Sequence, residues 1–205
     1  MLGRFTAFFN RGYGMSDDSQ LYFLDGPARP LQGESDENGS PYLLAEWHLP
    51  IVWLALFNAR DIRLDPTSRH DKENPYFAVE TQFAISNLEK RKQWIHTAIP
   101  DLEPVWLSRF SQFLAETELR WVHMDPVRPF DEGGQRADEW LASLLMVFDR
   151  PPSCVLGKPF EQAHAEDRYH QHFGTAYRHS GLALRISCFG GSGMMEPTPW
   201  ETDEV

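Results

Sequence analysis

A short apolar run that contains a proline is the sequence feature that most constrains the fold of this chain. Residues 49–57, LPIVWLALF, carry no charged side chain. Pro50 suits the first turn of a helix but not its middle, because it lacks an N–H and its ring clashes with the preceding turn. We therefore predict extended backbone over 46–49 and a helix over 50–59. Apolar side chains surround this helix on nearly all sides, so we expect it to be buried at the centre of the domain.

The length and composition fit one domain around an aromatic-rich core. The chain has 205 residues, 41% of them hydrophobic, with seven Trp and fourteen Phe. Globular domains commonly hold about 100 to 200 residues, and Trp and Phe bury the largest apolar areas. We expect a disordered extension over 1–14, one globular domain over 15–192 and a loose tail over 193–205.

Helical patterns outnumber strand patterns along the rest of the chain. Three strands are predicted where β-forming residues end at turn residues: 21–24, 121–124 and 182–189. The residues of the last strand alternate regularly between two faces. Further helices are predicted from proline and glycine boundaries and from apolar spacing: 74–99, 104–114 and 135–148. A more polar helix is predicted over 158–173. Because strands and helices do not alternate, we predict an α+β fold, a helix-rich single domain with a small antiparallel sheet.

The charge balance indicates which partners suit the chain. Nineteen Lys and Arg stand against thirty Asp and Glu, which gives a net charge of −11. A negative field repels nucleic-acid backbones and anionic lipids. The local basic run Lys90, Arg91 and Lys92 is typical of a solvated helix face. We therefore expect no nucleic acid, no membrane and a basic protein as partner.

The polar segment 33–41, GESDENGSP, is a predicted loop rich in turn-forming residues and carboxylates. Its turn-forming residues indicate an exposed connection. We predict that Glu34, Asp36 and Glu37 contact the partner, because acidic side chains steer the encounter with a basic protein.

A histidine-rich segment offers an alternative function. His164, His170 and His172, with Glu166, are ligand types that zinc and iron sites use. The six-residue step from His164 to His170 does not keep both on one helical face, and no HExxH signature is present. We therefore expect no cofactor, and a metal-dependent hydrolase remains the alternative hypothesis.

The two cysteines, Cys154 and Cys188, have no CxxC spacing and exclude a cysteine zinc site. We interpret both as buried apolar residues of a protein in a reducing compartment. The first residues lack the apolar stretch of a secretory signal. We therefore predict a cytoplasmic protein, and the absence of catalytic motifs favours a protein that is not an enzyme.

Two stretches resemble small bacterial proteins of the toxin-immunity or accessory type. They are the LYFLDG strand over 21–26 and the E-W-x-x-P entry into an apolar helix over 46–56. The resemblance implies a cytosolic protein that sequesters a basic effector or toxin, and it carries no catalytic residue to this chain. A structural subunit of a larger assembly is a third hypothesis, which the seven tryptophans would suit if several were exposed.

Overall fold

The computed structural model describes residues 18–28, 42–46, 49–65, 74–126, 137–149, 151–152 and 188–190. In this part of the chain, α-helices and a five-stranded antiparallel sheet form an α+β fold, as predicted. The elements in chain order are β1 (Asp18–Leu24), β2 (Tyr42–Glu46), α1 (Ile51–Leu54), β3 (Ile62–Asp65), β4 (Asn74–Glu80), α2 (Thr81–Ala98), α3 (Pro104–Glu116), β5 (Trp121–Asp125) and α4 (Ala137–Leu145). Short 3₁₀ turns over Ala59–Asp61 and Met146–Asp149 follow α1 and α4. The predicted extension 1–14, loop 33–41, helix 158–173 and tail 193–205 lie outside the described residues.

The sheet has the strand order β2-β1-β5-β4-β3, and each pair of neighbours is antiparallel. β5, the last of these strands in sequence, is therefore the central one. His123 of β5 lies opposite Tyr22 of β1 and Ala78 of β4. Directly paired residues share a face of a sheet. These three side chains therefore belong to one face, which we name the second face.

The other face of the sheet, which we name the core face, packs against the helices. Phe57 lies beside α1 and its ring centroid is 5.0 Å from that of Phe77 of β4, while Phe113 of α3 is 5.6 Å from Phe23 of β1. The buried side chains that the core face contributes are Leu21, Phe23, Leu43, Ala45, Phe77, Val79, Val122 and Met124. Buried residues of all four helices join the same cluster. Burial of this apolar area is the main driving force for folding.

The helix predicted over 50–59 is buried as expected but is much shorter. α1 is a single turn, Ile51–Leu54, and its four side chains are at most 3% exposed. The chain leaves the helical path after α1 because a side chain of α2 forms hydrogen bonds with the backbone carbonyls that follow. The guanidinium of Arg91 donates hydrogen bonds to the carbonyls of Ala55 at 2.8 Å and Phe57 at 2.6 Å. A contact from a distant element thus ends the helix.

The helix predicted to start at Asn74 and Pro75 starts later. Asn74–Glu80 is strand β4, and α2 begins at Thr81, so the prediction was wrong over the first seven residues. Pro75 fits the strand because it lies near the strand's start, where it pairs with Leu64 of the edge strand β3. The predicted end before Pro100 is correct, since α2 ends at Ala98. The predictions for β1, α3, β5 and α4 are also confirmed.

A short C-terminal segment, residues 188–190, completes the core. Cys188 and Phe189 are helical and both wholly buried, so the strand predicted over 182–189 is wrong at these two residues; the rest of it lies outside the described ranges. The indole Nε1 of Trp53 donates to the carbonyl of Phe189 at 2.7 Å. Gly190 has a φ of 71°, and a Cβ there would overlap the Trp53 ring. The position therefore requires glycine.

Candidate interaction surface

Seven residues singled out by sequence lie outside the described residues: Glu34, Asp36, Glu37, His164, Glu166, His170 and His172. The partner contact and the alternative metal site therefore both stay predictions. Among the residues that the structure describes, no group of three or more His, Cys, Asp or Glu side chains could hold a metal ion.

Helix α3 presents one exposed face to solvent, which we name the α3 outer face. It consists of Val105, Ser108, Gln112 and Glu116, which recur every three or four residues and are all exposed. The side chain amide of Gln112 donates to the Glu116 carboxylate at 2.7 Å. Val105, the apolar residue of this face, is 44% exposed. The buried stripe of the same helix holds it on the core: Trp106, Leu107, Phe110 and Leu114.

Exposed carboxylates flank both ends of α3. Asp101 and Glu103 precede the first turn, and Glu116 and Glu118 stand at the end. Within the described part of the chain, no Lys or Arg forms an ion pair with any of the four. The last turn of α3 contains no basic residue. The carbonyl end of a helix carries partial negative charge, so Glu116 stands where a carboxylate is electrostatically unfavourable.

The arginine within α3 and the arginine that follows the helix both contact groups other than these carboxylates. The guanidinium of Arg109 lies over the Trp106 ring, 4.9 Å from its centroid. Arg120 pairs with Glu80 at 2.9 Å. Among the described residues, neither arginine forms an ion pair with the carboxylates at the ends of α3.

The basic run at 90–92 does not form the solvated face that we predicted. Lys90 is exposed and Lys92 pairs with Glu89. Arg91 instead turns inward, where its guanidinium also contacts the side chain oxygen of Asn58 at 2.9 Å and lies 4.5 Å from the centre of the Phe148 ring. The three basic side chains therefore do not share one solvated face.

Arg91 belongs to a polar group that we name the Arg91 cluster, in which Asp61 and Asn87 are buried and Arg91 and Asn58 are half-buried. The amide of Asn87 donates to the carbonyl of Leu56 at 2.9 Å. The backbone N–H of Asn58 donates to the Asp61 carboxylate at 2.8 Å. Burial raises the pKa of the Asp61 carboxyl, although this hydrogen bond and three nearby arginines act in the opposite direction. The cluster fixes the path of the chain after α1.

A second polar group lies on the second face of the sheet, and sequence reasoning missed it. We name it the His123 stack: His123 with Tyr22 and Tyr76, whose ring centroids lie 5.3 Å and 6.1 Å from that of the imidazole. The Nε2 atom of His123 lies 2.9 Å from the carbonyl oxygen of Gly26, and the Tyr22 hydroxyl donates to Asp125 at 3.3 Å. The alternation in WVHMD could have placed His123 on a face with Asp125. Because His123 is wholly buried, we assign it a structural role that holds the bend at Gly26.

Comparison with known proteins finds no matching protein family, no similar curated protein and no similar solved structure. None of the described helices is long and apolar enough to cross a membrane. The function that we propose therefore derives from residues of this chain alone.

Proposed function

We propose that this chain is a non-enzymatic acidic binding protein of the immunity type, which sequesters a basic effector or toxin in the bacterial cytoplasm. The observation that carries the proposal is the net charge of −11. Exposed carboxylates without ion-pair partners at both ends of α3 add support within the described residues.

Electrostatic attraction is the physical basis of the proposal. A strongly negative surface raises the local concentration of a basic protein and can speed association by about 10- to 1,000-fold at low salt. Such binding weakens with ionic strength, because the Debye length shortens from about 10 Å at 0.1 M salt to about 3 Å at 1 M. A small apolar contact within the acidic surface would then slow dissociation.

The test is a pull-down from the source bacterium with the tagged chain, washed at low and at high salt, with bound proteins identified by mass spectrometry. We expect one basic protein in near-stoichiometric amount, retained at low salt and lost or weakened at high salt. The triple variant Glu34→Lys/Asp36→Lys/Glu37→Lys tests the predicted loop contact. If no basic protein is retained at either salt, the proposal is wrong.

The same purified sample also tests the alternative function. Near-stoichiometric zinc, manganese or iron after dialysis, with a lower melting temperature in chelator, would favour the metal-dependent hydrolase that uses His164, His170, His172 and Glu166. A metal-free sample whose thermal stability is unchanged by chelator would exclude it.

A further inference from the structure

We infer that residues 188–190 form a latch, which opens and closes on Trp53 while the sheet and the helices stay folded. Opening uncovers Trp53 and Phe110, so the latch controls access to an apolar part of the core. The inference concerns a conformational device of the fold and is independent of the proposed function, since it does not rest on the charge of the chain.

The latch is held on the core by a hydrogen bond and by aromatic packing. The indole Nε1 of Trp53 donates to the carbonyl of Phe189 at 2.7 Å. The ring of Phe189 meets that of Phe110 edge to face, with 5.5 Å between the ring centroids. Cys188 and Phe189 are both wholly buried, so the closed latch shields this part of the core from solvent.

Gly190 makes the closed position depend on the absence of a side chain. Its φ of 71° lies in the left-handed region, which glycine adopts without strain. A Cβ at this position would lie 2.8 Å from the backbone oxygen of Leu44 and would overlap the Trp53 ring. The closed latch therefore fits a narrow gap between β2 and α1, and a side chain at residue 190 would oppose closure.

The latch buries much less apolar area than the core that it covers. It contributes the side chains of Cys188 and Phe189, whereas the core cluster also contains buried side chains of β1, β2, β4, β5 and all four helices. Within the described residues, no strand pairing of the sheet involves 188–190. The free energy gained on burial grows with the apolar area, and proteins open locally where few buried contacts are lost. Opening of the latch therefore costs less free energy than global unfolding.

The thiol of Cys188 is a probe of the latch. Burial raises the pKa of this thiol, and a thiol reacts with alkylating reagents as the thiolate. The closed latch therefore protects Cys188 by covering it and by keeping it protonated. Replacement of Cys154 by serine leaves Cys188 as the one thiol of the chain, so the rate of alkylation measures how often the latch opens.

The experiment follows alkylation of the full-length Cys154→Ser chain by N-ethylmaleimide with intact mass spectrometry, at urea concentrations below the unfolding transition. Sensitivity to urea scales with the surface that is exposed, and opening of the latch exposes little. The rate should therefore change by less than about twofold over this range. A rate that rises with urea as steeply as the unfolding equilibrium does would overturn the inference, because Cys188 would then react through global unfolding.

Two variants in the same background separate the latch from the rest of the core. Gly190→Ala should be alkylated at least about tenfold faster, because its Cβ opposes closure. The control is Leu141→Ala, since Leu141 is wholly buried in α4, which packs on β3 and β4 at the opposite side of the sheet from β2. The cavity in this control lowers global stability but should change the rate of alkylation by less than about twofold.

The latch would be wrong if Leu141→Ala accelerated alkylation by the same factor by which it raises the unfolded population in urea denaturation. An unchanged rate in Gly190→Ala would also overturn it. Circular dichroism verifies that both variants are folded, and the urea series on the Cys154→Ser chain tests the latch without either of them.

Discussion

The Arg91 cluster and the His123 stack both bury polar groups, but they satisfy them by different means. Arg91 and Asn87 donate to three backbone carbonyls between Ala55 and Phe57. Among the described residues, His123 contacts the carbonyl of Gly26 and the rings of Tyr22 and Tyr76. The first cluster therefore depends on directed hydrogen bonds, and the second largely on the stacking of flat rings.

This difference predicts how each region tolerates substitution. A buried backbone carbonyl destabilises the protein when its hydrogen-bond donor is removed, because it has lost its hydrogen bonds to water and gains no other donor in return. A stacked ring can be exchanged for another ring of similar size, because stacking depends mainly on shape and area. We therefore expect the Arg91 cluster to tolerate no substitution that removes a hydrogen-bond donor, and the His123 stack to accept another aromatic residue.

The largest effect is expected for Arg91→Met. The substitution keeps much of the side chain volume but leaves the carbonyls of Ala55 and Phe57 without their donor, so the free energy of unfolding should fall by about 3 kcal/mol. Chemical denaturation measures this loss. Lys90→Met is the control at the exposed neighbour and should stay within about 0.5 kcal/mol of the parent. If the free energy of unfolding fell equally in the two variants, the hydrogen bonds of Arg91 would not be what stabilises the cluster.

A comparison of His123→Ala with His123→Phe tests the tolerance of the stack. The alanine variant removes a buried ring and leaves a cavity, so we expect a loss of about 2 to 3 kcal/mol. The phenylalanine variant keeps a ring between Tyr22 and Tyr76 and should lose less than half as much, although it cannot bond to the Gly26 carbonyl. If both variants lost the same stability, the bond to Gly26 would outweigh stacking.

The pH dependence of stability separates the clusters further, through Asp61→Asn. Burial raises the pKa of the Asp61 carboxyl in the folded chain, so the folded state holds this proton more tightly than the unfolded state does. The contribution of Asp61 is therefore most favourable below its ordinary pKa, and it is lost as the pH rises through the raised pKa. Asparagine does not ionise, so the parent should lose stability relative to Asp61→Asn as the pH rises from below about 3.9, the ordinary pKa of an aspartate, through the raised pKa. Urea denaturation at several pH values measures the difference, and a pH-independent difference would contradict the assignment.

The smallest effect is expected for Tyr22→Phe. The variant loses the 3.3 Å hydrogen bond from the Tyr22 hydroxyl to Asp125 and keeps the stacked ring, so the free energy of unfolding should fall by about 0.5 kcal/mol. Thermal denaturation at high protein purity can resolve such a shift. A loss as large as that of His123→Ala would mean that the hydroxyl, rather than the ring, holds the stack together.

The sequence predicted correctly those helices and strands that are determined by residues within the element itself. The buried stripe of α3, the end of α2 before Pro100 and the burial of α1 all follow from side chain spacing and from proline. β4 was misread because Asn74 and Pro75 form a good helix start, and because residues 76–79 are buried on both faces and so lack alternation. The length of α1 was also misread, since Arg91, more than thirty residues away, ends it.

The candidate surface was harder to predict than the fold. Sequence reasoning recorded the acidic excess but assigned it to the loop at Glu34, because a polar run is visible there without knowledge of the fold. The carboxylates near α3 are separated in sequence, and Glu116 becomes notable only once the helix is known to end there. The inward turn of Arg91 likewise depends on a contact between elements, which no local pattern encodes.

The contact between Trp53 and Phe189 has a consequence for protein synthesis. It joins residues 136 positions apart, and the central strand β5 also pairs with β1 about a hundred residues earlier. Contacts of such separation fold slowly, and they form only after most of the chain has left the ribosome. Until residue 190 emerges, the side of Trp53 that Gly190 covers stays open to solvent. The Trp53 side of the core can therefore be completed only late in synthesis, when residues 188–190 are available to pack on it.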